Sequence, residues 1–170
     1  MSDEELIEQA RFIIGRYDHY YESVNTKGNL YLAINAILIG GIASSYSFLE
    51  QKLKFTSAHN LVIAGVVILC AFSLGFTILA INPFTRSSSH PGNVSLIFFG
   101  QVASLEYRYF ARKFRKRSAS LHLQDMLRQM HILSIGLSRK FKRLNYAGWL
   151  LSGSLMLLVF LSLYFILNGK

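Results

Sequence analysis

Residues 29–49 read NLYLAINAILIGGIASSYSFL, a run without a single Asp, Glu, Lys or Arg. A helix rising about 1.5 Å per residue needs about 20 apolar residues to cross a hydrocarbon core about 30 Å thick. This run is long enough. Two more match it, LVIAGVVILCAFSLGFTILAI at 61–81 and AGWLLSGSLMLLVFLSLYFIL at 147–167. One such run can be a buried core helix. Three in a chain of 170 residues point to a membrane protein. We therefore expect three transmembrane helices, at 29–49, 61–81 and 147–167.

The charges outside these runs set the orientation. The chain is basic and oily at once, with net charge +9 and 52% hydrophobic residues. Residues 1–28 hold three Lys/Arg, the 50–60 loop two, and residues 82–146 twelve. Basic loops stay on the cytoplasmic side. That puts 82–146 and the N-terminal 1–28 in the cytoplasm, with the 50–60 loop and the 168–170 tail outside. The start, MSDEELIEQ, is acidic where a signal peptide is basic, so no signal peptide is expected.

The cytoplasmic segments read as helices. Leu6, Ala10, Ile13, Tyr17, Tyr20 and Val24 recur at spacings of three and four, an apolar stripe that makes 1–28 an amphipathic helix. Asp3, Glu4 and Glu5 suit its N-terminus. TRSSSHPGN, 85–93, reads as a loop, and VSLIFFG, 94–100, is apolar but too short to span. Val102, Leu105, Tyr109 and Phe110 recur at helical spacing. A second stripe runs from Leu123 through Leu127, Met130, Leu133, Leu137 and Phe141 to Leu144 and enters the third span without a proline. One helix from about Leu121 to about Leu167 is expected. The fold class is then an all-α membrane protein with a cytoplasmic helical layer, the third span continuous with a long cytoplasmic helix. The acidic 1–28 segment and the basic 82–146 region should dock by opposite charge.

Catalytic chemistry finds little support. There is no Walker loop, HExxH, GxSxG or paired Cys-x-x-Cys, so no catalytic residue, metal or cofactor is expected. The single cysteine, Cys70, cannot form an intrachain disulfide. No formal charge interrupts a span, which removes the usual marker of ion-coupled transport. The histidines lie in polar or interfacial positions; only His131, three residues after Arg128 on one helical face, pairs with another functional candidate.

Two features invite association or binding. Ala36, Gly40 and Ser44 recur every four residues on the first span, and small residues at that spacing let helix backbones approach closely. Asn35 beside them needs a hydrogen-bond partner in the bilayer, which a second copy can supply. The run RYFARKFRKR, 108–117, is dense in Arg and Lys. Its plain role is to hold the segment inside and touch anionic lipid. It also offers forked donors for phosphate. The interleaved Tyr107, Tyr109, Phe110 and Phe114 either stack on a base or form the helix's buried stripe, with Phe110 and Phe114 better suited to the stripe.

YDHYYESVNTKGNLYLAINAILIGGI (17–42), FFGQVASLEYRYF (98–110) and LQDMLRQMHILSIGLSRKFKRLNYAGWLL (123–151) together resemble the transmembrane effectors of bacterial Pycsar anti-phage systems. SVNTKG, FFG and the RQMH…KF…LN series are the most specific pieces. The resemblance implies a multi-pass protein of the bacterial inner membrane, so that 50–60 and 168–170 are periplasmic. It implies a partner pyrimidine cyclase whose product, cyclic CMP or cyclic UMP, triggers loss of membrane integrity and abortive infection. No separate nucleotide-binding domain fits in the helical pattern, so the cytoplasmic helices or a partner must sense the signal. Position and chemistry select Asn25, Lys27, Arg128, His131 and Lys140 as ligand candidates, with membrane lipids and further copies of the chain as other partners and no DNA or RNA. The alternative is a constitutive membrane scaffold or subunit whose basic face binds lipid or a partner, and a holin-like pore needing no ligand is the third reading.

Overall fold

The computed structural model describes residues 2–53, 56–83 and 94–168, and every regular element among them is helical. The helices are α1 (Asp3–Leu53), α2 (Ser57–Ile81), α3 (Phe99–Val102), α4 (Tyr107–Arg115) and α5 (Ala119–Asn168). Three of them, α1, α2 and α5, are long and apolar enough to cross a membrane. The expected 85–93 loop lies outside the described residues.

The amphipathic segment and the first span are one helix of 51 residues, with no proline to stop it. Its start is fixed by a reciprocal cap. The Glu5 N–H donates to Ser2 Oγ at 3.3 Å and the Ser2 N–H to Glu5 Oε2 at 3.0 Å, while Asp3, Glu4 and Glu5 sit at the positive end of the helix dipole. The helix expected from about Leu121 is α5, 50 residues long. It begins where Ser118 Oγ accepts the Leu121 N–H at 3.3 Å.

The stripe at 102–110 does not form one helix. Turns at Ala103–Ser104 separate α3 from α4, with Ser104 Oγ donating to the Gln101 carbonyl at 2.7 Å. A hydroxyl that bonds the backbone locally competes with helix continuation. Before α3 the chain bends at Leu96 and Ile97, and Ser95 Oγ accepts the N–H groups of Ile97 and Phe98 at 3.2 and 3.1 Å.

The chain divides into two compact units, Met1–Glu22 with Pro83–Arg139, and Ser23–Asn82 with Lys140–Lys170. The first buries Ala10, Leu123, Met126 and Leu137. In it the Tyr21 hydroxyl donates to the Leu133 carbonyl at 2.9 Å, a neutral link from α1 to α5. Burial, and secondarily Asp18, raise the Tyr21 pKa and keep the phenol a donor.

The second unit packs three helices through narrow stripes. On α2 the buried residues are Val66, Cys70, Ser73, Thr77 and Ala80. On α5 they are Lys140, Leu144, Ala147, Leu151 and Ser154, and on α1 Val24, Gly28 and Asn35. The alternating steps of four and three are those of left-handed helix packing. Close approach rests on glycine: a Cβ at Gly28 would collide with Ile81 Cγ2, and one at Gly148 would stand 3.0 Å from the Tyr31 hydroxyl. Leu30, Ile37, Phe72, Trp149 and Ile166 stay exposed on the outer faces, as lipid-facing side chains do.

Asn35 ties the three helices together. Its Nδ2 donates to the Tyr31 carbonyl at 2.8 Å and to Ser73 Oγ at 3.0 Å, and Ser73 Oγ donates to the Ala147 carbonyl at 2.9 Å. The amide donors expected to need another copy are therefore satisfied within the chain, while Asn35 Oδ1 stays buried without a hydrogen-bond partner among the described residues. The expected association stripe of Ala36, Gly40 and Ser44 lies elsewhere: all three are exposed, and a Cβ on Gly40 would meet nothing within 4 Å. The helices of one chain pack through a different face.

Candidate functional site

Bases in a helix-rich protein usually splay into solvent, because like charges repel. In the first unit they instead border a cavity of about 410 Å³, within the size range of small-molecule sites, roughly 300–1,000 Å³. Four segments build it. Val94 and Leu96 come from the bent segment before α3. Tyr109, Arg112 and Lys113 come from α4, and Lys116 and Arg117 from the turn that follows it. Leu121, Gln124, Asp125 and Arg128 come from α5. The α5 residues recur at three and four, so one helical face supplies them.

Five bases and one acid line this cavity among the described residues. Arg112 and Lys113 fall in the last turn of α4, where cations complement the helix dipole. Lys113 Nζ stands 5.7 Å from the Tyr109 ring centroid, near enough for a cation–π contact. The acid is already engaged. Arg117 Nη2 donates to Asp125 Oδ2 at 2.6 Å, with side chains only 10% and 7% exposed. The same Oδ2 accepts the Leu96 N–H at 3.0 Å, and Arg117 Nη2 also donates to the Leu121 carbonyl at 3.0 Å. Arg117 Nη1 is buried without a hydrogen-bond partner among the described residues.

Of the residues selected from sequence, Arg128 lines the cavity. His131 is exposed on the next turn of α5 and does not line it. Asn25 and Lys27 are exposed on α1 in the second unit. Lys140 is 4% exposed and holds another helix end: its Nζ donates to the carbonyls of Ala80, Ile81 and Asn82 at 2.6, 3.1 and 2.8 Å. Arg143 adds a bond to the Leu79 carbonyl at 2.8 Å. Burial, and secondarily Arg143, lower the Lys140 pKa, while three carbonyl acceptors call on all three ammonium protons. The final carbonyls of α2 are thereby satisfied, and Lys140 has no donor left for a ligand.

The aromatics also separate. Tyr109 is half-buried at the cavity. Phe114 is 53% exposed, so it does not belong to a buried stripe, although its ring lies 5.6 Å from that of Phe110. The sequence reading missed Gln124, Asp125 and the Leu96 N–H. Asp125 carried a signal, being one of two acids among the twelve bases of 82–146.

A family model described as the Pycsar effector protein domain matches residues 9–167. No curated protein and no solved structure is significantly similar to the chain.

Proposed function

The chain belongs to the Pycsar effector family and is a membrane effector of anti-phage defence, and from that premise we propose that cyclic CMP or cyclic UMP triggers it to breach the bacterial inner membrane. The cyclase of the same system supplies the signal, and the receiving site is the cationic cavity of the first unit. The observation that carries this reading is the cavity's composition. Five bases offer donors to one phosphate, Tyr109 offers a ring face to one base, and the Gln124 amide carries both a donor and an acceptor for a base edge. Leu96 and Leu121 supply the apolar wall that such sites need.

The ligand acts by binding the damaging arrangement of the spans better than the resting one. Three spans enclose no pore alone, so several copies act together in the inner membrane, with the N-terminus cytoplasmic. The open face at Ala36, Gly40 and Ser44 supports contact between copies. Death of the infected cell before phage release is the outcome.

A dye-permeability assay on cells expressing the protein tests the reading. Dye entry is expected only when cyclic CMP or cyclic UMP is supplied, and replacing Arg128 by alanine should abolish it while membrane insertion persists. Entry without nucleotide would mark a ligand-independent pore. No entry under either condition would mark a constitutive scaffold with a lipid- or partner-binding basic face.

A further inference from the structure

Asp125 receives donors of the kind that also bind phosphate. A buried carboxylate oxygen takes one N–H from a guanidinium and one from the backbone, Arg117 Nη2 at 2.6 Å and the Leu96 N–H at 3.0 Å. Arg forks and backbone amides are the donors that proteins use for phosphate. The carboxylate is also outnumbered: among the described residues it is the single acid beside five bases at the cavity wall. Burial makes the pair costly to leave incomplete, yet Arg117 Nη1 still lacks a partner among the described residues. Arg117 therefore has one buried donor more than Asp125 and Leu121 use.

We propose that Arg117 and the Leu96 N–H form the phosphate seat of the cavity, and that Asp125 occupies this seat as an internal anion until a phosphate-bearing ligand displaces it. The proposal rests on the reading of the cavity as a nucleotide site. The exchange leaves one negative charge in the seat, because a cyclic phosphodiester is a monoanion, as the carboxylate is, and the released carboxylate stays on the chain. Two phosphate oxygens can engage both Arg117 nitrogens, so the orphaned Nη1 gains the partner it lacks. Displacement also frees Asp125 from the Leu96 N–H and thereby loosens the tie between the 94–98 segment and α5. The internal anion sets a threshold: only the fraction of molecules with the seat open can bind, and apparent affinity falls by that fraction.

The test is titration of the full-length protein in detergent with cyclic CMP, cyclic UMP, inorganic phosphate and the phosphate-free nucleosides cytidine and uridine, with helical content checked for each variant. Asp125→Asn should bind the cyclic nucleotides and phosphate about tenfold or more tightly than the unaltered chain, as expected when a mostly occluded seat is opened. Nucleoside binding should not change. Arg117→Gln should weaken phosphate-bearing ligands by a similar factor. Unchanged or weaker phosphate binding in a folded Asp125→Asn chain would overturn the proposal, as would equal tightening of the nucleosides.

If Asp125→Asn does not fold, the double variant Arg117→Gln/Asp125→Asn removes both buried charges together. It should lose phosphate binding, and phosphate binding equal to that of the unaltered chain would again overturn the seat. Should Asp125→Asn gain affinity for inorganic phosphate alone, the seat stands and the cyclic-nucleotide reading falls. Binding of none of these by any folded variant removes both. Repeating the phosphate titration in nanodiscs rich in phosphatidylglycerol separates the two sources of phosphate. Loss of soluble phosphate binding there assigns the seat to a lipid headgroup and leaves the nucleotide reading without its site.

Discussion

Lys140 Nζ lies 2.6 Å from the carbonyl oxygen of Ala80, so a cation on α5 closes the C-terminal end of α2. Hydrogen bonds to charged groups each contribute on the order of 1.5–3 kcal/mol, and the orphaned carbonyls of a helix end need partners. Lys140→Met should therefore destabilise the second unit by about 2 kcal/mol or more. Thermal unfolding in detergent checks this. The proposed nucleotide binding should persist in this variant, because the ammonium is spent on structure.

Gly28 separates close packing from mere smallness. Gly28→Ala drives a methyl group into Ile81 Cγ2 and should cost about 1–3 kcal/mol, the usual range for overpacking. Adding Ile81→Ala to the same chain should recover much of that loss. Gly40→Ala, with nothing within 4 Å of the new Cβ, should not lower the unfolding temperature.

Asn35 and Gly40 should fail differently. Asn35→Leu removes donors to Tyr31 and Ser73 inside the chain and should cost about 0.6–2 kcal/mol, with oligomer order unaltered. Gly40→Leu thickens the open face and should lower self-association without lowering the unfolding temperature. Cross-linking in membranes reads the first property and thermal unfolding the second.

The spans were legible because an uncharged run long enough to cross a bilayer has few other uses. The long α5 was legible for a related reason: no proline interrupts the stripe from Leu123 to Leu144. Periodicity failed at 102–110 because Ser104 turns the chain locally, an effect outside the hydrophobic pattern. At Ala36, Gly40 and Ser44 the spacing marked an open contact face without naming the partner, since small residues alone do not specify what covers them. The Ser2–Glu5 cap was readable as Ser-x-x-Glu and was missed.

The cavity was only half legible. Arg128 and the basic run 108–117 stood out by composition. Their convergence with Leu96 and Asp125 depends on a bend at Leu96–Ile97 and on the turn at Arg117, neither of which leaves a periodic trace. Lys140 looked like a ligand group because sequence shows its charge and not the three carbonyls that consume it.

Hydrogen–deuterium exchange of the full-length protein, with and without cyclic CMP and cyclic UMP, tests the central claim most directly. The account predicts that one of the two nucleotides slows exchange in 94–98 and in 107–128, the segments that wall the cavity. Arg128→Ala should erase that protection. Protection confined to other segments, or no change with either nucleotide, would contradict it.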